Sequence, residues 1–257
     1  MKTTKINLSK IPTLPPAETD RKAIEAQTEG YKKKISALQK MLYAQKKHSV
    51  LIVFQGIDAS GKDGAVNAAL EGCSPIGLKV TGFAKPSDAE LAHDFLWRIY
   101  PHLPAKGEIS VFIRSHYEDV LIQRVHNWID LDQVHSRFDA INAFEQNIIN
   151  DKGTTIIKFY LHISEEAQEA QLMQRISDPE KQWKHKTDDW EERKHWVEYQ
   201  KAYTDVLNTC NKAAAWHVIP TDKRWYRNYL VAKTVCETLE SLNLSYPIRS
   251  AEELATV

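Results

Sequence analysis

The sequence predicts an α/β protein in which a parallel sheet is covered by helices on both faces. Five short apolar runs alternate with helical segments between residues 49 and 242, the order expected of strand-helix units. The run Val50-Leu51-Ile52-Val53-Phe54 is apolar at every position, so neither face of that strand is expected to meet water. A glycine-rich loop follows this run directly and leads into a helical segment. The 257 residues are 42% hydrophobic and 26% charged, an ordinary globular composition for a chain long enough to bury a large core.

Residues 1–19 carry Pro12, Pro15 and Pro16 and no periodic pattern, and read as an extended arm. Asp20 then opens a helix to about Lys47, with Ile24, Tyr31, Ile35, Leu38 and Leu42 on one face and Lys32 and Lys33 on the solvated side. That stripe packs either on its own domain or on a neighbouring subunit. Expected strands are Ser49 to Gln55, Leu78 to Ala84, Ile109 to Ile113, Thr155 to Ile163 and Ala215 to Pro220. Helices are expected near 61–73, 87–99, 117–128, 136–151, 165–176, 187–210 and 223–242. With no second composition regime and no repeat, residues 20–247 read as one domain, carrying the helix 20–47 and a helical lid at about 175–195. Residues 248–257 form a tail.

Composition narrows the function. Lysine plus arginine equals aspartate plus glutamate, 34 each, so an anionic partner must be held by a local patch. Neither nucleic acid nor a membrane is expected as a partner. The longest strongly apolar run is far shorter than the ~20 residues of a membrane helix, and the amino terminus lacks the apolar core of a signal peptide. Cys73, Cys210 and Cys236 are widely spaced, with no Cys-x-x-Cys, which favours a reducing cytoplasm over a disulfide framework or a zinc site.

Only 9 residues are glycine, yet Gly56, Gly61 and Gly64 fall within one loop. Such clustering points to positive φ or to close approach of a ligand. Gly56, four residues, Gly61 and Lys62 give the spacing of a phosphate-binding P-loop, in which backbone N–H groups of Ala59, Ser60, Gly61 and their neighbours wrap phosphates at a helix N-terminus. The standard motif continues with Ser or Thr, whose hydroxyl holds Mg²⁺, whereas this chain has Asp63. Asp63 either changes how the metal and phosphates are held or serves the helix terminus as a favourable carboxylate. Asp58 is a candidate metal ligand.

The third run ends in Arg114-Ser115-His116-Tyr117-Glu118-Asp119. Strand carboxyl ends line the ligand crevice of parallel α/β sheets, so Arg114 is placed to neutralise a transferring phosphoryl group. Glu118 and Asp119 either bind metal or acceptor nucleotide, or cap a helix; His116 reads as a structural residue. Farther on, residues 175–194 hold six basic and six acidic side chains, with Lys181, Lys184 and Lys186 clustered between acidic flanks. That suits a lid closing over phosphates, with a charged surface hairpin as the competing reading.

The segments Gly-Ile-Asp-Ala-Ser-Gly-Lys-Asp-Gly at 56–64, Arg-Ser-His-Tyr-Glu-Asp-Val-Leu at 114–121, Asp-Pro-Glu-Lys-Gln-Trp-Lys at 178–184, Glu-Glu-Arg-Lys at 191–194 and Ile-Pro-Thr-Asp-Lys-Arg-Trp at 219–225 together resemble the polyphosphate kinase 2 family over about residues 20–247. The resemblance implies a thymidylate-kinase-like P-loop fold in which inorganic polyphosphate phosphorylates adenine or guanine nucleotides, with Mg²⁺, or Mn²⁺ in its place, as cofactor. It implies that Asp58 and Lys62 serve metal and phosphates, that Arg114 contacts phosphate, and that Arg175, Lys181 and Lys184, with Arg193 of the 191–194 motif, belong to the polyphosphate lid. Glu118-Asp119 resembles the subclass that accepts both AMP and ADP. A homo-oligomer is expected. One position departs: the family usually has Asp or Asn before the arginine, and this chain has Ile113, leaving Asp58 and Asp119 as the metal carboxylates.

Overall fold

The computed structural model describes residues 5–250. Its elements are, in chain order, α1 (Arg21–Gln45), β1 (Ser49–Gln55), α2 (Lys62–Leu70), β2 (Leu78–Gly82), α3 (Asp88–Leu91), β3 (Ile109–Ile113), α4 (Ile122–Val125), α5 (Leu131–Lys152), β4 (Thr154–His162), α6 (Glu165–Ser177), α7 (Asp188–Arg193), α8 (Trp196–Thr209), β5 (Trp216–Pro220) and α9 (Arg224–Ser241). The strands form one parallel sheet in the order β2-β3-β1-β4-β5. The α/β, parallel-sheet P-loop architecture expected from sequence is therefore the one observed, and each of its strands lies within a residue or two of its expected span.

Alternation along β1 builds both cores. Leu51 and Val53 point to one face, with Phe112, Ile156 and Tyr160, under α5 and α8. Val50, Ile52 and Phe54 point to the other, with Val111, Ile157 and Phe159, under α1, α2 and α9. The apolar stripe of α1 buries Ile35 and Leu42 completely in the second core, so it packs on its own domain. Asp20 caps that helix by accepting from the backbone N–H groups of Lys22 and Ala23, as its position predicts.

Three expectations change. The helix expected near 87–99 is a single turn, Asp88–Leu91; Asp94 then accepts from the Leu96 N–H, and a 3-10 turn with Pro101 follows. The helix expected over 187–210 breaks between Arg193 and Trp196, and that expected near 117–128 is a 3-10 turn, His116–Val120, followed by α4. The described part of the amino-terminal arm is anchored: Leu8 is buried in the first core, and Ile6 exchanges two hydrogen bonds with the Asn208 side chain. Most of the tail expected at 248–257 lies outside the described residues.

One core position is charged. Lys158, in the middle of β4, is fully buried and donates to Glu145 Oε2 of α5 at 2.6 Å, the Cys210 carbonyl at 2.8 Å and the Tyr117 hydroxyl at 3.0 Å. Tyr117 in turn donates to Glu145 Oε1 at 2.6 Å. Each charge is matched, and the group ties β4, α5 and the end of α8 to the turn that carries Glu118. Removing one partner of such a pair leaves a buried charge uncompensated, so Lys158→Met is expected to cost about 3–5 kcal/mol in urea unfolding. The double variant Lys158→Met/Glu145→Leu should recover most of that. A single-variant cost below about 1 kcal/mol would show that the pair does not hold this layer together.

Candidate functional site

Four strand ends converge on one cavity of about 460 Å³. Asp58 and the glycine loop arrive from β1, Ile113 and Arg114 from β3, Ile163 from β4, and Thr221 and Asp222 from β5. The remaining wall is largely basic, formed by Arg175, Lys181, Lys184 and Lys186 of the lid and Arg224 and Arg227 of α9, with Asp189, Gln171 and Gln174 among them and the exposed Trp183 ring at the edge.

The loop is wrapped around its own lysine. Lys62 is 8% exposed and donates to the carbonyls of Gly56, at 2.6 Å, and Ile57, at 3.1 Å. Burial lowers its pKa, against the pull of Asp58. Gly61, at φ +89°, caps α2, and a Cβ there would overlap the Arg227 guanidinium; one on Gly64 would come 3.0 Å from Arg227 Nη2. Positive φ, one of the two reasons expected for the clustering, holds at Gly56 and Gly61, while the space at Gly61 and Gly64 is filled by an arginine of this chain.

Arg114 adopts a left-handed backbone, φ +62°, uncommon for a residue other than glycine. The turn sends its guanidinium back to Asp58, and Arg114 Nη2 donates to Asp58 Oδ1. Burial alone would raise the Asp58 pKa, but Lys62 and Arg114 outweigh it and hold the carboxyl below its usual range. Arg114, despite burial, is pushed up by Asp58 and Glu118. Glu118 shares this environment: burial raises its pKa, while Arg114 and Lys62 oppose the rise. Gln55, in the amide orientation that satisfies both its ends, donates to Glu118 Oε1 at 2.9 Å.

Asp119 does not join Asp58 in the cavity. It is 5% exposed on the other side of the turn, accepting from Gln123 Nε2 at 2.5 Å, and the charges acting on it are led by Arg137 and Arg98. Successive residues of a turn point different ways, so the expected Asp58/Asp119 carboxylate pair is not brought together. Among the described residues no three His, Cys, Asp or Glu side chains gather to hold a metal.

Three of the lid cations face carboxylates. Arg175 donates to Asp189 Oδ2 at 2.5 Å and Lys181 to Asp178 Oδ2 at 2.5 Å, while Lys184 lies 3.8 Å from Asp63. Asp63 therefore faces the lid, and no side chain caps α2. Arg193 is corrected: it does not line the cavity but donates to Glu169 and Gln168 of α6, and Gln168 donates to the Asp58 carbonyl at 3.0 Å. It braces α7 against α6 and, through Gln168, the start of the loop. The sequence reading assigned no role to Arg224 or Arg227; the 219–225 motif was the available signal, reaching Arg224 but stopping short of Arg227.

The family model described as polyphosphate kinase 2 matches residues 18–246. The chain belongs to that family. It is 44% identical over 216 residues, 84% of this chain and 80% of the relative, to the AMP/ADP-polyphosphate phosphotransferase of Meiothermus ruber. It is 41% identical over 227 residues, 83% of this chain and 78% of the relative, to the ADP-polyphosphate phosphotransferase of Rhodopseudomonas palustris. Among solved structures, the polyphosphate kinase 2 of Arthrobacter aurescens TC1 superposes with a TM-score of 0.92 at 35% identity, covering 98% of this chain and 93% of that one.

In this polyphosphate kinase 2 chain Asp119 offers a pH test. Burial lifts its pKa to about 6, above the unfolded value of about 3.9. The native state then holds the proton more tightly, so this group makes stability fall as pH rises from roughly 4 to 6. Asp119→Asn is expected to be more stable than the parent by about 1–3 kcal/mol at pH 8, an advantage that fades below about pH 4. Urea titrations at the two pH values check this; a difference independent of pH contradicts it.

Proposed function

We propose that this chain moves the terminal phosphoryl group of inorganic polyphosphate to ADP, and to AMP, making ATP and ADP. The observation that carries the reading is the cavity wall. A phosphate loop without the usual Ser or Thr opens into a channel lined by Lys62, Arg114, Arg175, Lys181, Lys184, Lys186, Arg224 and Arg227. That many cations suit a repeating anion better than one nucleotide, and the names of the relatives agree.

The transfer breaks one phosphoanhydride and makes another, so little covalent chemistry falls to the protein. Its work is alignment and neutralisation of the phosphoryl oxygens. Lys62 and the N–H groups of the loop bind donor phosphates at the start of α2. Arg114 lies between donor and acceptor, paired with Asp58 until a phosphate competes for it. Glu118, facing Arg114 and Lys62 across the turn, supports the acceptor nucleotide, adenine or guanine.

Mg²⁺ belongs to the same proposal. Asp58 stays ionised in the cavity, and one carboxylate together with substrate phosphates and waters is a usual set for this ion. When bound, the ion offsets phosphate charge; Asp58 is the residue that would hold it. A reducing, cytoplasmic setting is supported by the free state of all three cysteines. Among the described residues no helix is long and apolar enough to cross a membrane.

Incubation with Mg²⁺, polyphosphate and either AMP or ADP should yield ADP or ATP; folded protein that makes neither overturns the proposal. Lys62→Ala is expected to lower kcat at least ~100-fold, as for loss of one transition-state donor, and near-normal turnover would remove this lysine from the reaction. Glu118→Asn should impair AMP use more than ADP use, and equal effects on kcat/KM would refute its acceptor role.

A further inference from the structure

The amino-terminal arm reaches the carboxyl edge of the sheet and is fixed there at three points. Asn208 of α8 exchanges two hydrogen bonds with Ile6. His162, the last residue of β4, is 6% exposed and donates through Nε2 to the Ile11 carbonyl at 3.1 Å. Burial lowers the pKa of this ring, so it is neutral and its one proton sits on the nitrogen that faces the carbonyl. Thr13 and Asp222 form a reciprocal pair: the Thr13 hydroxyl donates to Asp222 Oδ2 at 2.7 Å, and the Asp222 N–H donates to the Thr13 carbonyl at 3.1 Å. Proline favours this docking. Pro12, Pro15 and Pro16 fix their own φ and keep the residue before each of them extended, as at Ile11 (φ −95°, ψ 125°), so the arm loses little conformational freedom when it settles.

Asp222 lines the basic cavity, yet both its carboxylate oxygens accept from uncharged donors. Oδ2 is held by the arm, and Oδ1 accepts from the N–H of Ser164 at 2.9 Å. Ser164 is the cap of α6, its own hydroxyl accepting from the Ala167 N–H. Pairing of β4 with β5 ends at His162 and Pro220, so beyond that point the sheet no longer dictates where α6 and α9 begin. One carboxylate ties the exit of β5 to the exit of β4, and the arm holds that carboxylate. Both helices carry walls of the cavity: α6 supplies Gln171, Gln174 and Arg175, and α9 supplies Arg224 and Arg227. Gln168 of α6 also donates to the Asp58 carbonyl at 3.0 Å. A shift at the start of α6 therefore reaches Arg175 and Asp58 together.

Resting on the phosphotransfer reading above, we propose that Asp222 is a positioning residue set by Thr13, and that the amino-terminal arm is thereby a working part of the active site. Asp222 touches no reacting atom in this role. It fixes the start of α6 against the start of α9, and so keeps Asp58 and Arg175 in register with the groups that α9 presents.

The test uses the full-length protein with Mg²⁺, polyphosphate and ADP, well below the melting temperature of each variant. Thr13→Val keeps the shape and removes the hydroxyl, which Thr13→Ser retains. Asp222→Asn keeps the bond from Ser164 and offers its amide N–H to the Thr13 oxygen, whereas Asp222→Ala loses both. The cavity cations stay in place, so the loss is expected in kcat, with KM for polyphosphate and for ADP within about twofold, as misalignment rather than lost binding requires. The expected fall in kcat is about tenfold for Thr13→Val and about 100-fold for Asp222→Ala, while Thr13→Ser and Asp222→Asn stay within about threefold of the parent because their hydrogen bonds survive. Hydrogen–deuterium exchange over 163–168 should quicken in Thr13→Val and not in Thr13→Ser. Parent-like kcat in Thr13→Val with only a lower melting temperature overturns the proposal, since the tie is then merely structural. Asp222→Asn as impaired as Asp222→Ala overturns it too, since the charge itself then acts, as does a loss confined to donor KM. Should Asp222→Ala fail to fold, Thr13→Val and Asp222→Asn decide. A parent that makes no ATP refutes instead the phosphotransfer reading, and the exchange of 163–168 then still shows whether the arm holds α6.

Discussion

Like-charge repulsion at the carboxyl edge of the sheet is the constraint around which this molecule is arranged. A cavity of about 460 Å³ gathers basic side chains from the glycine loop, the turn after β3, the lid and α9, and in a partly desolvated space such charges raise one another's energy steeply. The fold meets this by giving Arg114, Arg175, Lys181 and Lys184 a local carboxylate each. Acidic residues are thus interleaved with the basic ones in a chain of no net charge, each close enough to hold a cation in place; Asp58, Asp63 and Asp178 are at least partly exposed, whereas Asp189 is buried with Arg175.

Below that edge, rigidity comes from elsewhere. The turn carrying Arg114 and Glu118 sits on the Lys158–Glu145–Tyr117 group, every charge of which is satisfied. The lid is less firmly founded: Trp183 is exposed, and the pairs Lys181–Asp178 and Lys184–Asp63 are partly solvated, with Arg175–Asp189 its one largely buried pair among the described residues. Elements of this kind open at low free-energy cost relative to the core. A firm acceptor side and a loosely held donor side suit a substrate whose length varies at one end only.

Much of this was legible in the sequence, for identifiable reasons. The strands were visible because both faces of β1, β3 and β4 are buried, and buried strands write themselves as unbroken apolar runs. The loop was visible because its spacing is dictated by phosphate geometry. Helix interruptions were not: the break after Arg193 and the short α3 come from side-chain and turn hydrogen bonds that periodicity does not register. Pairings distant in sequence were also hidden. Nothing near Gly61 announces that Arg227 fills the space over it, and nothing near Lys158 says that a lysine in a strand points inward to Glu145. Arg193 and Asp119 were seen as charged residues in suggestive places, but one braces α6 and the other faces Arg137, because direction within a turn or helix depends on partners supplied by the fold.

The contact between Gly61 and Arg227 also limits how this protein can diverge. The two residues lie 166 positions apart, yet any side chain at 61 must occupy the space of the guanidinium. A first substitution at 61 therefore displaces Arg227 and disturbs the start of α2, whereas a first substitution at 227 to a smaller residue merely empties the space. Loss of the arginine does not by itself free the glycine: position 61 is held twice, by the guanidinium over it and by its own φ of +89°, so a lineage that replaces Arg227 still finds glycine the unstrained residue at 61.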